Sequence, residues 1–245
     1  QSFSSDRLDW VQVTPGLRKQ LHFWWSMLKT VNGLATIPAP DRFPAWTFEF
    51  FTDASGGAAP DTVSGIWHGT GGVGGPLWFF VPWSPRINNG VRAADGKRLS
   101  RKLSALELVG PLICLSAGRK YCRRWPVRIW VDNSGSVGIW KKGYSTRCAL
   151  CTTLVNAIGR VAAAIGCTVT IDKITRCSDD GSILADLLSK GKVREFHDTT
   201  PRSWAMDADP AWIPPSILSW IHNPQEDDSL GGRILADMKS RDGYL

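Results

Sequence analysis

The chain lacks any apolar run of membrane-spanning length and any charged-then-apolar leader, so neither a transmembrane helix nor a secretory signal is expected. Its glycine cluster at 69–75 has no Gly-Lys-Ser/Thr after it, which removes a phosphate loop and reads as a turn. There is no His-Glu-x-x-His string, no Ser/His/Asp set and no Tyr-x-Asp-Asp signature. Ser178-Asp179-Asp180 lies in a turn before a helix, which is the wrong setting for the last of these. Only four histidines occur, and His22, His68, His197 and His222 show no paired spacing. Each reads as a structural or surface residue. The six cysteines include Cys148-x-x-Cys151, but no second Cys/His pair stands at finger-like spacing. Buried thiols are expected, neither a disulfide framework nor zinc.

What is present is a moderately charged chain of 245 residues with a formal net charge of +7. That length supports one substantial core with appendages, or two small domains. The first residue is Gln1, which reads as a fragment or a processed product. The positive excess is local. Lys97, Arg98, Arg101 and Lys102 form one cluster; Arg119, Lys120, Arg123, Arg124 and Arg128 a second, with Tyr121 and Trp125 interleaved; and Lys141, Lys142 and Arg147 a third. Any one cluster is explained by a solvated surface. Together they favour a polyanionic partner.

Residues 1–45 read as a helix, carried by Leu17, Leu21, Trp24, Trp25 and Leu28, then a loop rich in proline. Strands are expected at 46–51, 62–67 and 77–81, as an antiparallel meander. A helix over 104–117, a strand over 127–131, a helix over 144–165 stopped by Gly166, a strand over 168–174 and a helix over 182–189 follow. A hairpin sheet extended by parallel strands through helical crossovers satisfies this order. The fold class is therefore α/β, a five-stranded mixed sheet flanked by helices. Residues 195–245, rich in Pro and Trp, read as a partly ordered tail with a short amphipathic stretch at 217–221.

Four acidic residues carry the chemistry. Asp53 and Asp132 each end an apolar strand and precede a polar turn, a position Asp also takes merely as a turn former. Two such strands side by side would bring both carboxylates to one ion. Glu107 has capping-box spacing from Ser104, or else lies in the second turn of a helix starting near residue 100 and points at the sheet edge. Asp186 sits in the first turn of a short helix, where the helix dipole favours any Asp. Asp179 and Asp180 are near enough to take its place, and Ser182 or Asp180 is a plausible cap. Converging carboxylates hold divalent metal, and a metal pair is the usual apparatus for in-line phosphodiester cleavage.

The strings Phe51-Thr52-Asp53-Ala54-Ser55, Leu106-Glu107, Val131-Asp132-Asn133 and Ala185-Asp186-Leu187-Leu188-Ser189 together resemble the ribonuclease H domain of retroelement reverse transcriptases, of the long-terminal-repeat and DIRS-like kinds. Leu17 to Trp25 followed by Asn32-Gly33 is similar to the segment that joins polymerase to ribonuclease H in DIRS-like elements. The resemblance implies a connection segment at 1–45, a ribonuclease H-like domain at 46–194 and a tail at 195–245. It implies Asp53, Glu107, Asp132 and Asp186 as catalytic metal ligands for two Mg²⁺ ions, with Mn²⁺ as the alternative. The implied substrate is an RNA–DNA hybrid, and the implied partner is a polymerase domain in the same parent chain. An intracellular setting, cytoplasm or nucleus, without membrane attachment, goes with it. Ser55, Gly56 and Asn133 are candidates for contacts to the RNA strand. Arg98, Arg101, Lys102, Lys141 and Lys142 are candidates for the backbone, the first three on a basic arm at 88–102. The loop 176–181 departs from the family in having no His. Two other readings stay open: a silent module of the same fold that grips hybrid or protein, and DNA strand transfer or exonuclease chemistry. The Ala-Asp-Leu-Leu-Ser setting of the fourth acid argues against the last.

Overall fold

The computed structural model describes residues 13–30, 48–55, 68–84, 87 and 103–243. The chain divides into two units, 1–35 and 36–245. The first contains helix α1, Pro15–Thr30, whose residues Leu17, Leu21, Trp24 and Trp25 are all exposed.

The second unit is built on strands β1 (Phe48–Ala54), β2 (Gly69–Gly74), β3 (Leu77–Pro82), β4 (Pro126–Val131) and β5 (Thr168–Lys173). They form one mixed sheet in the order β3-β2-β1-β4-β5. Pairing is antiparallel for β1 with β2 and β2 with β3, and parallel for β1 with β4 and β4 with β5. The expected α/β class and mixed sheet are present.

The glycine cluster corrects the sequence reading. Gly69–Gly74 is the second strand, not a turn, and the expected strand at 62–67 lies outside the described residues. Helix α7 (Asp180–Ser189) explains why glycine is needed here. A Cβ on Gly71 would stand 2.4 Å from Leu188 Cβ and 2.5 Å from Ser189 N. The missing side chain lets the helix lie directly on the strand.

Strand alternation divides the core. Phe50 and Ala54 face one side with Val127, Ile129 and Val131, against the large core. Phe51 faces the other side, packed on the smaller cluster of Val73, Trp78, Leu184, Leu188 and Phe196. The large core contains α2 (Leu103–Glu107), α3 (Val109–Ala117), α4 (Arg119–Cys122) and α6 (Ala149–Ile165). The single helix expected over 104–117 is broken at Leu108. Pro111 accounts for the break: it has no N–H for the carbonyl of Glu107, four residues back, and its ring crowds that carbonyl.

The helix expected over 144–165 starts at Ala149, and Gly166 stops it in the left-handed conformation, φ 69°. Before it lies an unexpected helix, α5 (Ser134–Lys142). Asn133 caps its N-terminus by accepting from Ser136 N, and Gly143 closes it at φ 75°. Beyond residue 194 the chain is helical: α8 (Val193–Thr199), α9 (Pro215–His222) and α10 (Leu230–Asp242). Ile217, Trp220, Ile221, Ile234 and Met238 are buried in the large core and Phe196 of α8 in the smaller cluster, so these helices are part of the core and not an overlay. None of the six cysteines forms a disulfide. No described helix is long and apolar enough to cross a membrane.

Candidate metal centre

The parallel register of β1 and β4 positions the first two acids. Phe51 stands beside Trp130. Two residues further on, that register brings Asp53 level with Asp132, on the sheet face that Phe51 shares. Glu107 arrives from the other layer, as the last residue of α2. Its place depends on close contact between α3 and β1. A Cβ on Gly110 would stand 2.8 Å from the Thr52 side chain. Ligand oxygens of Asp53, Glu107 and Asp132 lie within 4.8 Å of one another and could hold a metal ion. Asp53 and Glu107 are buried and Asp132 is half-buried.

Asp186 comes from the second turn of α7, not the first, because the helix begins at Asp180. Its cap is Asp179, neither Ser182 nor Asp180: Asp179 Oδ1 accepts from Ser182 N at 2.8 Å. Asp186 is buried and joins Asp53 and Asp132 through Arg176. The Arg176 guanidinium lies 2.8 Å from Asp132 Oδ2, 3.4 Å from Asp53 Oδ1 and 3.8 Å from Asp186 Oδ1. On the far side of Asp186, Lys190 Nζ donates to Oδ2 at 2.7 Å. Ser189 Oγ donates to Asp53 Oδ2 at 2.5 Å.

Glu107 does not form a capping box. Its Oε1 accepts from Ala54 N at 3.2 Å, while Ser104 Oγ donates to Asn133 Oδ1. That ties the carboxylate to the sheet end. Glu107 Oε2 and Asp186 Oδ1 are buried and have no hydrogen-bond donor. Buried carboxylate oxygens without a donor are costly, and a directly coordinated cation would satisfy them. An all-oxygen carboxylate set suits a hard divalent ion. The residues therefore fit a metal.

Burial pushes the Glu107 carboxyl well above the usual carboxylate range, with the Asp53 and Asp132 charges adding to it. Burial also raises Asp53; the Ser189 hydrogen bond works against this, Asp132 adds to it and Arg176 again opposes it. Burial alone would lower Arg176, but the charges of Asp53, Asp132 and Asp186 outweigh it and hold the guanidinium more firmly charged.

Among the other expected contact residues, Ser55 Oγ lies 2.6 Å from His68 Nδ1. Asn133 Oδ1 is occupied as the cap of α5, so its amide NH₂ is the group that can meet a ligand. Lys141 and Lys142 are exposed in the last turn of α5. Gly56, Arg98, Arg101, Lys102 and the arm at 88–102 lie outside the described residues. Sequence reasoning assigned no role to Arg176, Ser189 or Lys190. Helical spacing was a usable signal for two of them, three and four residues after Asp186. Arg176 had none, since only the fold returns its loop to the strand ends. In comparisons with protein-family models, curated proteins and solved structures, nothing matches this chain.

Proposed function

We propose that the chain is a metal-dependent endonuclease of the ribonuclease H type, which hydrolyses the RNA strand of RNA–DNA hybrids. The observation that carries this reading is the carboxylate set. Asp53, Glu107 and Asp132 offer oxygens within 4.8 Å of one another, and Asp186 is drawn in through Arg176. The set stands at the ends of β1 and β4 in a sheet with two antiparallel and two parallel pairings, and the four motif strings resemble retroelement ribonuclease H domains. The net charge of +7 suits a polyanionic substrate.

In this reading Asp53, Glu107, Asp132 and Asp186 hold the ions, Mg²⁺ or Mn²⁺. When bound, two such ions would activate the attacking water and stabilise the leaving 3′-oxygen. The chain's own residues set the geometry. Ser189 fixes one oxygen of Asp53 and leaves the other facing the cluster. The Ala54 amide does the same for Glu107. The Asn133 amide, next to Asp132, is the group to read a 2′-hydroxyl, since the Ser55 N–H and C=O are engaged by Gly69 O and Trp83 Nε1. Lys141 and Lys142 supply exposed positive charge for the phosphate backbone.

The test is cleavage of an end-labelled RNA–DNA hybrid with Mg²⁺ or Mn²⁺, beside single-stranded RNA, duplex RNA and duplex DNA, with Asp53→Asn as control. Cutting of the RNA strand in the hybrid alone, abolished by EDTA and by the substitution, supports the proposal. A second reading is a silent module that binds hybrid or a partner protein. One observation favours it: Arg176 and Lys190 already engage the carboxylates. Tight hybrid binding without cutting under either ion would select it.

A further inference from the structure

The oxygens at the carboxylate cluster are already divided between two uses. Asp53 Oδ2 is bound by Ser189, Asp186 Oδ2 by Lys190 and Glu107 Oε1 by the Ala54 amide. What remains is Asp53 Oδ1, Asp132 Oδ2, Asp186 Oδ1, Glu107 Oε2 and Asp132 Oδ1. Arg176 faces the first three of these at 3.4, 2.8 and 3.8 Å. The guanidinium thus covers three of the five oxygens left for a metal.

We propose that Arg176 is the built-in counter-cation of this cluster, and that divalent ions enter only by displacing it. Arg176 thereby sets the metal affinity of the site. The inference rests on the metal-centre reading above. Carboxylates this close and this buried repel one another and need a neutralising charge. Arginine supplies it permanently, because it does not deprotonate in proteins, and its planar fork spans several oxygens. It can also leave. Its side chain is 52% exposed and reaches in from a turn after β5, while the acids stay fixed on strands and helices. The turn is itself conformationally special: Cys177, the next residue, is a non-glycine at φ 54°. Backbone of this kind persists where the surroundings over-determine it, often at sites that move or bind. Once displaced, the guanidinium exchanges carboxylate contacts for water, to which its side chain is already open.

The experiment measures Mn²⁺ binding by calorimetry to the wild-type chain, Arg176→Gln and Arg176→Lys, with Asp53→Asn as a control that weakens the site. The Arg176 Nε–H resonance of the wild-type chain is followed in parallel during a Mg²⁺ titration. Arg176→Gln is expected to bind Mn²⁺ about tenfold or more tightly, the release of one competing charge-assisted contact. Arg176→Lys should fall between it and wild type, and the Nε–H signal should shift and exchange faster with solvent as Mg²⁺ saturates. Equal affinities with an unmoved Nε–H signal at saturation would overturn the proposal and leave the metal centre standing. Tightening without movement of that signal would reduce Arg176 to a distant charge and also overturn displacement. Absence of binding in every form would remove the metal centre itself. Should Arg176→Gln fail to fold, the wild-type resonance still decides.

Discussion

Ser189 Oγ donates a 2.5 Å hydrogen bond to Asp53 Oδ2, joining the end of helix α7 to the end of strand β1 across 136 residues of sequence. Both groups are buried. The Asp186 carbonyl, 3.0 Å from the same oxygen, is the other acceptor within reach of that one proton, so Ser189 stands between two of the four acids. Ser189→Ala removes the donor and leaves a buried carboxylate oxygen without one. The expected cost is about 1–2 kcal/mol of stability in EDTA, read by urea unfolding. Hybrid cleavage should fall while metal binding survives, because Ser189 orients Asp53 and is not a ligand. Unchanged stability would show that the hydroxyl does not hold Asp53.

Gly71 makes that contact possible. A Cβ there meets Leu188 Cβ at 2.4 Å and Ser189 N at 2.5 Å, and helix backbone has no easy way to yield. Gly71→Val should cost about 3 kcal/mol or more and move Asp186 and Ser189 away from Asp53. Gly138, inside α5 with nothing within 4 Å of its Cβ position, is the counterpart. Gly138→Ala should stabilise by about 0.5–1 kcal/mol. Chemical unfolding of the two variants beside wild type checks both signs at once.

Metal affinity should rise with pH. An ion needs ionised carboxylates, and burial holds Glu107 well above its ordinary 4.5 and Asp53 above its ordinary 3.8, so protons compete. Affinity should climb as pH passes upward through the raised values and level off above them. The metal-free protein should respond in the opposite sense. For an acid raised in the folded state, the contribution to stability is full below the unfolded value and is lost as pH rises through the folded value. Saturating Mg²⁺ should therefore raise the unfolding midpoint more at about pH 8 than at about pH 5, with protons released on binding. Thermal melts and calorimetry in two buffers of different ionisation enthalpy test this, and an equal shift at both pH values would contradict it.

The helices beyond residue 194 should be needed for folding. Trp220 is 3% exposed, sits in the large core and donates from Nε1 to Gln225 O at 3.0 Å. Trp220→Ala should cost about 3–5 kcal/mol. A chain ending near residue 200 should lose cooperative unfolding by circular dichroism. A loss below about 1 kcal/mol for Trp220→Ala would mean that this segment only overlies a self-sufficient domain.

Much of this molecule follows from local pattern. The short apolar runs at 48–51, 77–81 and 127–131, the three-to-four spacing from Leu150 to Ile165 and the stop at Gly166 are local signals of strand and helix, which act over a few residues. The settings of Asp53 and Asp132 at strand ends were legible for the same reason. Pro111, too, was a local signal for the break after Glu107. The glycine strand was not legible, because Gly69–Gly74 carries no apolar alternation; its identity comes from what packs against it, Leu188 on one face and the Phe79 ring at Gly72. After residue 194 only the amphipathic stretch at 217–221 was legible; that this segment is buried in the core was not, since a proline-rich composition says nothing of a core contributed by distant residues.

Sequence alone thus determined the strand and helix periods and which acids stand at strand ends and on helices. Tertiary structure decided which of their oxygens face one another, and that Arg176, from a loop 123 residues beyond Asp53, is the cation among them. The physical reason is one of range. Backbone periodicity is a property of neighbours along the chain, whereas charge and packing act through space, between groups that only the folded sheet brings together.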